Sequence, residues 1–389
     1  MPRHTLNSPG ATATPGVGCL PVWLAVRDEP PTHSLAPERV SPAEHRQMIE
    51  ALKPPKRQRP AIAVLALNAG TEVCDFLSAY GVLAESGVAD MTVVADRADP
   101  IRLYPSIMVE TQATTAQFDA SYPDGADYVV VPAMEPSNDP AVVAWIKAQQ
   151  SKGATIVSIC DGSLTLAAAG LLDERRATGH WYSIKPLRTR HPTMTWVRDR
   201  RYVVDRGVAT STGITASIPL MIALVEAIGG HAEAEKLSIR LGVANWDARH
   251  SSSAFRLTFG HKKTFVRNKL SFWRHEVIRI KIDDQVDEIA LGLMVDAHSR
   301  TERSTVITVG GAGGWVQSRR GLRLRPDEPA AVAGADTVLK PQSDQPARTL
   351  NRELARIASR YDGPTAALVA LIMEYPWVRT TGATGGDTS

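Results

Sequence analysis

The chain has 389 residues, 43% of them hydrophobic and 22% charged, the balance of a soluble globular protein with room for about two domains. Its 44 basic and 41 acidic residues leave a net charge of +3, a balance with no nucleic-acid or membrane footprint, so neither partner is expected. Three cysteines, Cys19, Cys74 and Cys160, exclude a disulfide framework and fit a reducing, cytoplasmic compartment.

Residues 1–59 are rich in Pro, Ser, Thr and Gly, end in KPPKRQRP, and read as a flexible leader. Their apolar stretch GVGCLPVWLAV (16–26) is shorter than the roughly 20 residues that span a bilayer. It also lacks the layout of a signal peptide, and a degenerate membrane anchor is the competing reading. SPAEHRQMIEALK (41–53) predicts one short helix, with Ser41 as cap, Pro42 in the first turn and Glu44 completing a capping box.

From Ala61 an α/β pattern begins. AIAVLAL is a buried strand, CDFLSAYGVLAES a helix and DMTVVAD a second strand. IRLYPS and IMVETQ fit a hairpin or short crossing strands. ADYVVVPA is a strand, DPAVVAWIKAQQ a helix, and ATIVSI a strand ending at Cys160. The helix SLTLAAAGLL follows the turn, and RYVVD, GVATST and GITASIPLMIALVEAIGG add two strands and a helix. Strands alternating with helices predict a parallel sheet flanked by helices, an α/β fold of flavodoxin-like type, with ligands at the carboxyl ends of its strands.

Residues 231–276 read as a helical connector. The remainder, 277–389, repeats the element order of the first unit. VDEIALGLMVDAHSRTERSTVITV parallels VCDFLSAYGVLAESGVADMTVVA, and GPTAALVALIMEY echoes GITASIPLMIALVEA. One reading is a degenerate second copy that lacks the cysteine turn; the other is an unrelated α/β piece with common patterning. A second copy predicts that Val286, Ile289, Ala290, Leu293, Met294 and Ala297 form one buried stripe. It also predicts that 305–309 and 335–341 share a sheet.

Cys160 stands where a strand turns sharply into a helix. Such a turn exposes a side chain to backbone N–H groups and to the positive helix end, which favours a thiolate. Ser163 is the expected helix cap. The competing reading is a buried core cysteine. Cys74 reads as core or loop. TFGHKKTFVRNKLSFWRH (258–275) is basic with interleaved aromatics and reads as a solvated helix face rather than a nucleic-acid contact. The ten histidines show no metal-ligand spacing, and GGAGG (310–314) lacks the Lys-Ser/Thr of a phosphate loop, so neither metal nor cofactor is expected.

ICDGSLTLAAAGLLDERRATGHW (159–181), TSTGITASIPLMIALVEAIGG (210–230) and GTEVCDFLSAYGVL (70–83) resemble the ThiJ/PfpI superfamily, which is class I glutamine-amidotransferase-like. The nearest likeness is to the domain at the front of many AraC-type regulators. The resemblance covers 60–230 and implies a reactive elbow cysteine at Cys160, an acidic residue reaching the thiol at Asp75, and a nearby histidine at His180. It also implies dimeric pairing of such domains, hence a homodimer or an internal pair.

In chemical terms, Asp75 can exchange a proton with the thiol and His180 can act as its base. A helix N-cap for Asp75 and a backbone-bonded structural role for His180 are the alternatives. The amides of Asp161 and Met134 are the candidate oxyanion donors. Peptidase-like members have histidine after the cysteine and isonitrile-hydrating members threonine. Here Asp161 occupies that position, and its charge opposes the helix effect on the thiol. The helix-turn-helix pair of AraC-type regulators and the His-x-Glu of true amidotransferases are absent from the sequence. The expected function is cysteine-dependent hydrolysis or lysis of a small molecule. The alternative is ligand sensing without strong catalysis.

Overall fold

The computed structural model describes residues 39–311, 314–329, 338–342 and 344–377. Cys19, the stretch 16–26 and part of GGAGG lie outside them.

Seven strands build the main sheet: β1 (Ala61–Ala66), β2 (Asp90–Ala95), β3 (Ala113–Thr114), β4 (Tyr128–Val131), β5 (Thr155–Ser158), β6 (Tyr202–Asp205) and β7 (Val208–Ser211). Their order is β6-β7-β5-β4-β1-β2-β3. All neighbours run parallel except β6 and β7, which the tight Arg206-Gly207 turn joins antiparallel. β1, β4 and β5 are buried along their whole length, because helices cover both faces and each strand is a continuous apolar run. The helices used below are α1 (Pro42–Ala51), α2 (Val73–Ser86), α3 (Pro140–Ser151), α4 (Gly162–Ala168) and α5 (Ser217–Gly229). The predicted hairpin is present, with Ile101–Tyr104 antiparallel to Met108–Val109.

The expected leader is partly docked. In α1, Ser41 Oγ accepts the Glu44 amide at 3.0 Å. Glu44 does not return a capping-box bond; its carboxylate instead takes a bidentate contact from Arg200, at 2.6 and 3.0 Å. Met48 and Leu52 are buried in the main core, and Arg57 pairs with the buried Asp127 at 2.7 Å. Residues 39–59 are therefore part of the folded body, held by apolar burial and ion pairs that composition alone does not reveal.

The second half has its own sheet: β8 (Glu276–Ile282), β9 (Ser304–Gly310), β10 (Glu328–Pro329) and β11 (Val338–Leu339), all parallel, in the order β10-β9-β8-β11. In the first sheet the corresponding run is β3-β2-β1-β4. In both, the first strand is central, the second and third lie to one side, and the fourth returns to the other side. Residues 305–309 and 338–339 thus flank β8 in one sheet. Helices α6 (Phe259–Leu270), α7 (Glu288–Ser299), α8 (Thr349–Arg360) and α9 (Gly363–Ile372) complete this half.

α7 follows β8 as α2 follows β1, and the two helices pack on each other. Val286, Ile289, Ala290, Leu293, Met294 and Ala297 are all buried. The contact is close because glycines face it. A Cβ at Gly81 would lie 2.6 Å from Ile289 Cγ1, and one at Gly292 would lie 3.2 Å from Leu77 Cβ. Polar groups tie the same seam. Arg320 is nearly buried and bonds Glu85 at 2.8 Å, Asp287 at 2.9 Å and Glu288 at 2.6 Å. A further small sheet crosses between the halves, pairing Leu324 with Val109. Among the described residues no helix is long and apolar enough to cross a membrane.

Candidate functional site

The parallel strands point their carboxyl ends at one edge, and β5 ends there one residue before Ile159. The Ile159 amide donates to Val131 O at 3.0 Å and extends the ladder. Cys160 then adopts φ 53°, a left-handed conformation that non-glycine residues hold only where the surroundings impose it. The turn closes with the Gly162 amide on Ile159 O at 2.8 Å. Position 162 must be glycine, since a Cβ there would sit 2.1 Å from Val131 O. α4 starts immediately, with Asp161 at its N-cap and no side-chain cap. Ser163 is not the cap: its hydroxyl donates back to Cys160 O at 2.9 Å. That bond holds the turn from the carbonyl side.

The Cys160 side chain is buried, with 5% of the residue exposed. Burial pushes its thiol well above the ordinary range, and the charges of Asp75, Asp161 and Glu72 push the same way, against Arg300. The helix end therefore does not produce a resting thiolate. The sequence-based expectation of a lowered thiol pKa fails because desolvation and three carboxyl groups outweigh one short helix.

Asp75 lies in the first turn of α2, fully buried. The helix cap is Glu72, whose Oε2 accepts the Asp75 amide at 2.6 Å; Asp75 is not the cap. Its Oδ2 accepts the Ala133 amide at 3.1 Å, while its buried Oδ1 has no partner. Burial pushes the Asp75 carboxyl up to about 8, against the lowering effect of the Ala133 hydrogen bond. Near neutral pH this carboxyl holds a proton, and Oδ1 is free to donate it. Glu72 is also raised, first by burial and then by Asp296 and Asp75. Arg300, from just beyond α7, reaches Glu72 Oε1 at 3.3 Å and Asp296 at 2.6 Å. The second half thus supplies the cation of this buried acidic group. Tyr104 stands in the same field, its phenol raised by burial and then by Glu72 and Asp75.

His180 is buried too. Its Nε2 lies 2.9 Å from Ile372 O. A proton on Nε2 satisfies that carbonyl and leaves Nδ1 as the basic nitrogen. The neighbouring Trp181 donates its indole N–H to Leu371 O at 2.9 Å. Two residues past α9, Glu374 accepts the Gly213 amide at 2.6 Å and the Trp181 amide at 3.2 Å, and pairs with His250 at 2.9 Å. The last turn of α9 therefore forms one wall of the site.

Ligand atoms of Cys160, Asp161 and His180 lie within 4.8 Å of one another. These three are the described residues that could hold a metal together, although the sequence carries no ligand spacing for one. Asp161 keeps a buried Oδ1 without a partner. Among the described residues no acceptor meets the amide of Asp161 or of Met134. Cys74, next to Asp75 in α2, is buried; its sulfur lies 3.4 Å from Ser78 Oγ, and burial raises its thiol.

Sequence reasoning did not find Glu72, Arg300, Asp296, Tyr104, Glu374 or Ile372. The Glu72–Asp75 spacing is a helix-start signal that could have revealed the first. The others come from segments 200 or more residues away or carry no local pattern.

Comparison with known proteins adds a family. The DJ-1/PfpI family model matches residues 61–227. An HTH-type transcriptional regulator, CdhR of Pseudomonas aeruginosa, is 29% identical over 199 residues, covering 44% of this chain and 58% of the regulator. The chain thus spans less than two thirds of that relative. An isonitrile hydratase of Pseudomonas putida is 32% identical over 178 residues, covering 44% of this chain and 73% of the hydratase. Among solved structures, a ThiJ/PfpI family protein from Pseudomonas syringae aligns at TM-score 0.43 and 24% identity, over 48% of this chain and 76% of that one. Through residues 61–227, the chain belongs to the DJ-1/PfpI family.

Proposed function

We propose that the protein carries out a hydrolase- or lyase-type reaction on a small molecule, with Cys160 as nucleophile and Asp75 as proton donor. The observation that carries this reading is the pairing of a thiol on a strained turn, φ 53°, with a carboxyl that keeps its proton near neutral pH. In the forward step the Cys160 sulfur bonds to an electrophilic carbon. The multiple bond at that carbon opens, and the proton of Asp75 goes to the heteroatom of a nitrile or carbonyl, or to the carbon itself in an isonitrile. The thiol proton passes to His180. Water then displaces the sulfur, and the protons return to Asp75 and Cys160. The amides of Asp161 and Met134 would hold the developing negative charge. No cofactor enters this scheme. The cysteines described, Cys74 and Cys160, are free and buried, which suits a reducing, cytoplasmic setting.

A second reading is favoured by the raised Cys160 thiol and by the regulator relative: the site binds a small molecule and reports it, without turnover. A panel of small electrophiles, isonitriles among them, separates the two. Turnover that disappears in Cys160→Ser supports the enzyme. Ligand binding that survives in Cys160→Ser, with no turnover in the native protein, supports the sensor.

We read the second half as a degenerate internal copy of the first. The shared strand order and the α2–α7 seam support this. In this reading α7 occupies the face of α2 that a second subunit would otherwise cover, so the internal pair stands in place of a homodimer through that face. Its contributions to the site are Arg300, Ile372 and Glu374.

A further inference from the structure

Seven large hydrophobic residues are exposed among those described: Ile239, Phe259, Val266, Leu270, Phe272, Trp273 and Val338. Five of them fall between 259 and 273. Phe259 and Phe272 are each 73% exposed, Trp273 69% and Leu270 65%. Such a concentration in one segment, α6 and the turn after it, is unlike the scattered apolar residues of an ordinary surface.

The helix places them on one side. At about 100° per residue, Phe259, Lys263, Val266 and Leu270 fall within a sector of about 60°. The opposite face is fixed to the body. Phe265 packs with Leu368 and Ile372 of α9, and Asn268 bonds Thr301 O at 2.9 Å and Thr365 Oγ1 at 3.0 Å. The helix cannot roll its apolar side inward. Phe272 and Trp273 continue the exposed side on the short turn after α6, their rings edge-on at 5.2 Å.

The charge around this strip is mainly positive; Asp362 pairs with Arg267 at 2.7 Å and Glu302 faces Lys269 and His275. From Ala248 to His275 the sequence has no aspartate or glutamate, and it carries Arg249, Arg256, Lys262, Lys263, Arg267, Lys269 and Arg274. Lys263 and Arg274 are exposed beside the aromatics. Two copies brought together by this strip would juxtapose like charges, which disfavours self-pairing. A nucleic acid would use the cations but leave Val266 and Leu270 unexplained. Aromatic and aliphatic side chains ringed by Lys and Arg match the headgroup boundary of an anionic bilayer.

We propose that the exposed side of α6, together with Phe272 and Trp273, docks the protein peripherally on an anionic lipid surface. The contact is interfacial rather than spanning, and it is independent of the reaction proposed at Cys160. It would set the α9 wall of the site beside the membrane, because Phe265 touches Ile372 and Ile372 O holds His180.

Co-sedimentation of the full chain with vesicles tests this. Phosphatidylcholine vesicles containing phosphatidylglycerol should bind the protein at least tenfold better than phosphatidylcholine alone. Raised salt should weaken the binding, and Phe272→Ser with Trp273→Ser should reduce it at least tenfold. These side chains are exposed, so circular dichroism and thermal midpoint should stay unchanged in the variant. No binding to anionic vesicles would overturn the proposal, as would binding that the double variant retains. Two further results would overturn it: a native oligomer that the double variant dissociates, or a DNA or RNA duplex that binds the strip and outcompetes the vesicles.

Discussion

Replacing Asp75 with asparagine keeps the shape of the carboxyl and removes its proton equilibrium. The amide oxygen can accept the Ala133 N–H that Oδ2 accepts at 3.1 Å, and the amide N–H₂ can donate where the protonated Oδ1 would. In the native chain burial holds this carboxyl at about 8 against an ordinary 3.8. Between those limits the folded chain keeps a proton that the unfolded chain has released. Stability from this group is therefore complete below the unfolded value and is lost as pH rises toward the folded one. One proton of difference corresponds to about 1.4 kcal/mol per pH unit, or about 3 kcal/mol between roughly pH 5 and pH 7. The asparagine side chain has no such dependence. Urea unfolding followed by circular dichroism at several pH values gives the test. The stability of the native chain minus that of Asp75→Asn should fall at about 1.4 kcal/mol per pH unit across that window. A difference that stays constant with pH would mean that Asp75 is ionised in the folded protein, and the proton-donor role would fail.

Four other outcomes follow from the same geometry. Iodoacetamide near pH 7.5 should label Cys160 at least about tenfold more slowly than a free model thiol, because burial and carboxylates raise its pKa; faster labelling, read by peptide mass spectrometry, would contradict the electrostatics. Gly162→Ala places a Cβ 2.1 Å from Val131 O and should cost about 3 kcal/mol or abolish folding; a thermal midpoint equal to the native one would show that the turn has room. Glu374→Ala removes the acceptor of the Gly213 and Trp181 amides and the partner of His250, a loss of about 2–4 kcal/mol, and should speed Cys160 labelling by opening the wall beside it; unchanged stability and labelling would detach α9 from the site. Gly81→Leu drives a side chain into Ile289 and should destabilise by about 3 kcal/mol through overpacking of the α2–α7 seam; a neutral effect in urea unfolding would argue that the halves are not tightly joined.

The residues declare the first half clearly. AIAVLAL, ADYVVVPA and ATIVSI are unbroken apolar runs, which a two-sided parallel sheet requires, and their strands sit side by side. The turn at Cys160 is legible because Asp-Gly-Ser between a strand and an Ala/Leu helix leaves few alternatives. The thiol's electrostatics are not legible. They depend on Asp75, Glu72 and Arg300 converging from three segments, and no spacing rule encodes that convergence. The helix caps show a local limit: Asp75 and Ser163 are both good cap types, yet Glu72 caps α2 and Ser163 bonds backward to Cys160. The docking of residues 42–57 was hidden by the Pro-rich flanks, since Arg200, which pairs with Glu44, Glu226, which pairs with His45, and Asp127, which pairs with Arg57, are remote in sequence. His180 has the backbone bond that its structural reading implied and still lies beside Cys160 and Asp161, so one side chain can satisfy both readings.

The most direct measurement is the intact mass of the protein after exposure to a panel of small electrophiles, isonitriles included, in the native chain, Asp75→Asn and Cys160→Ser. The account predicts turnover by the native chain. It predicts a stalled covalent adduct in Asp75→Asn that maps to the Cys160 peptide. It predicts neither adduct nor turnover in Cys160→Ser. Turnover that persists in Cys160→Ser would contradict it.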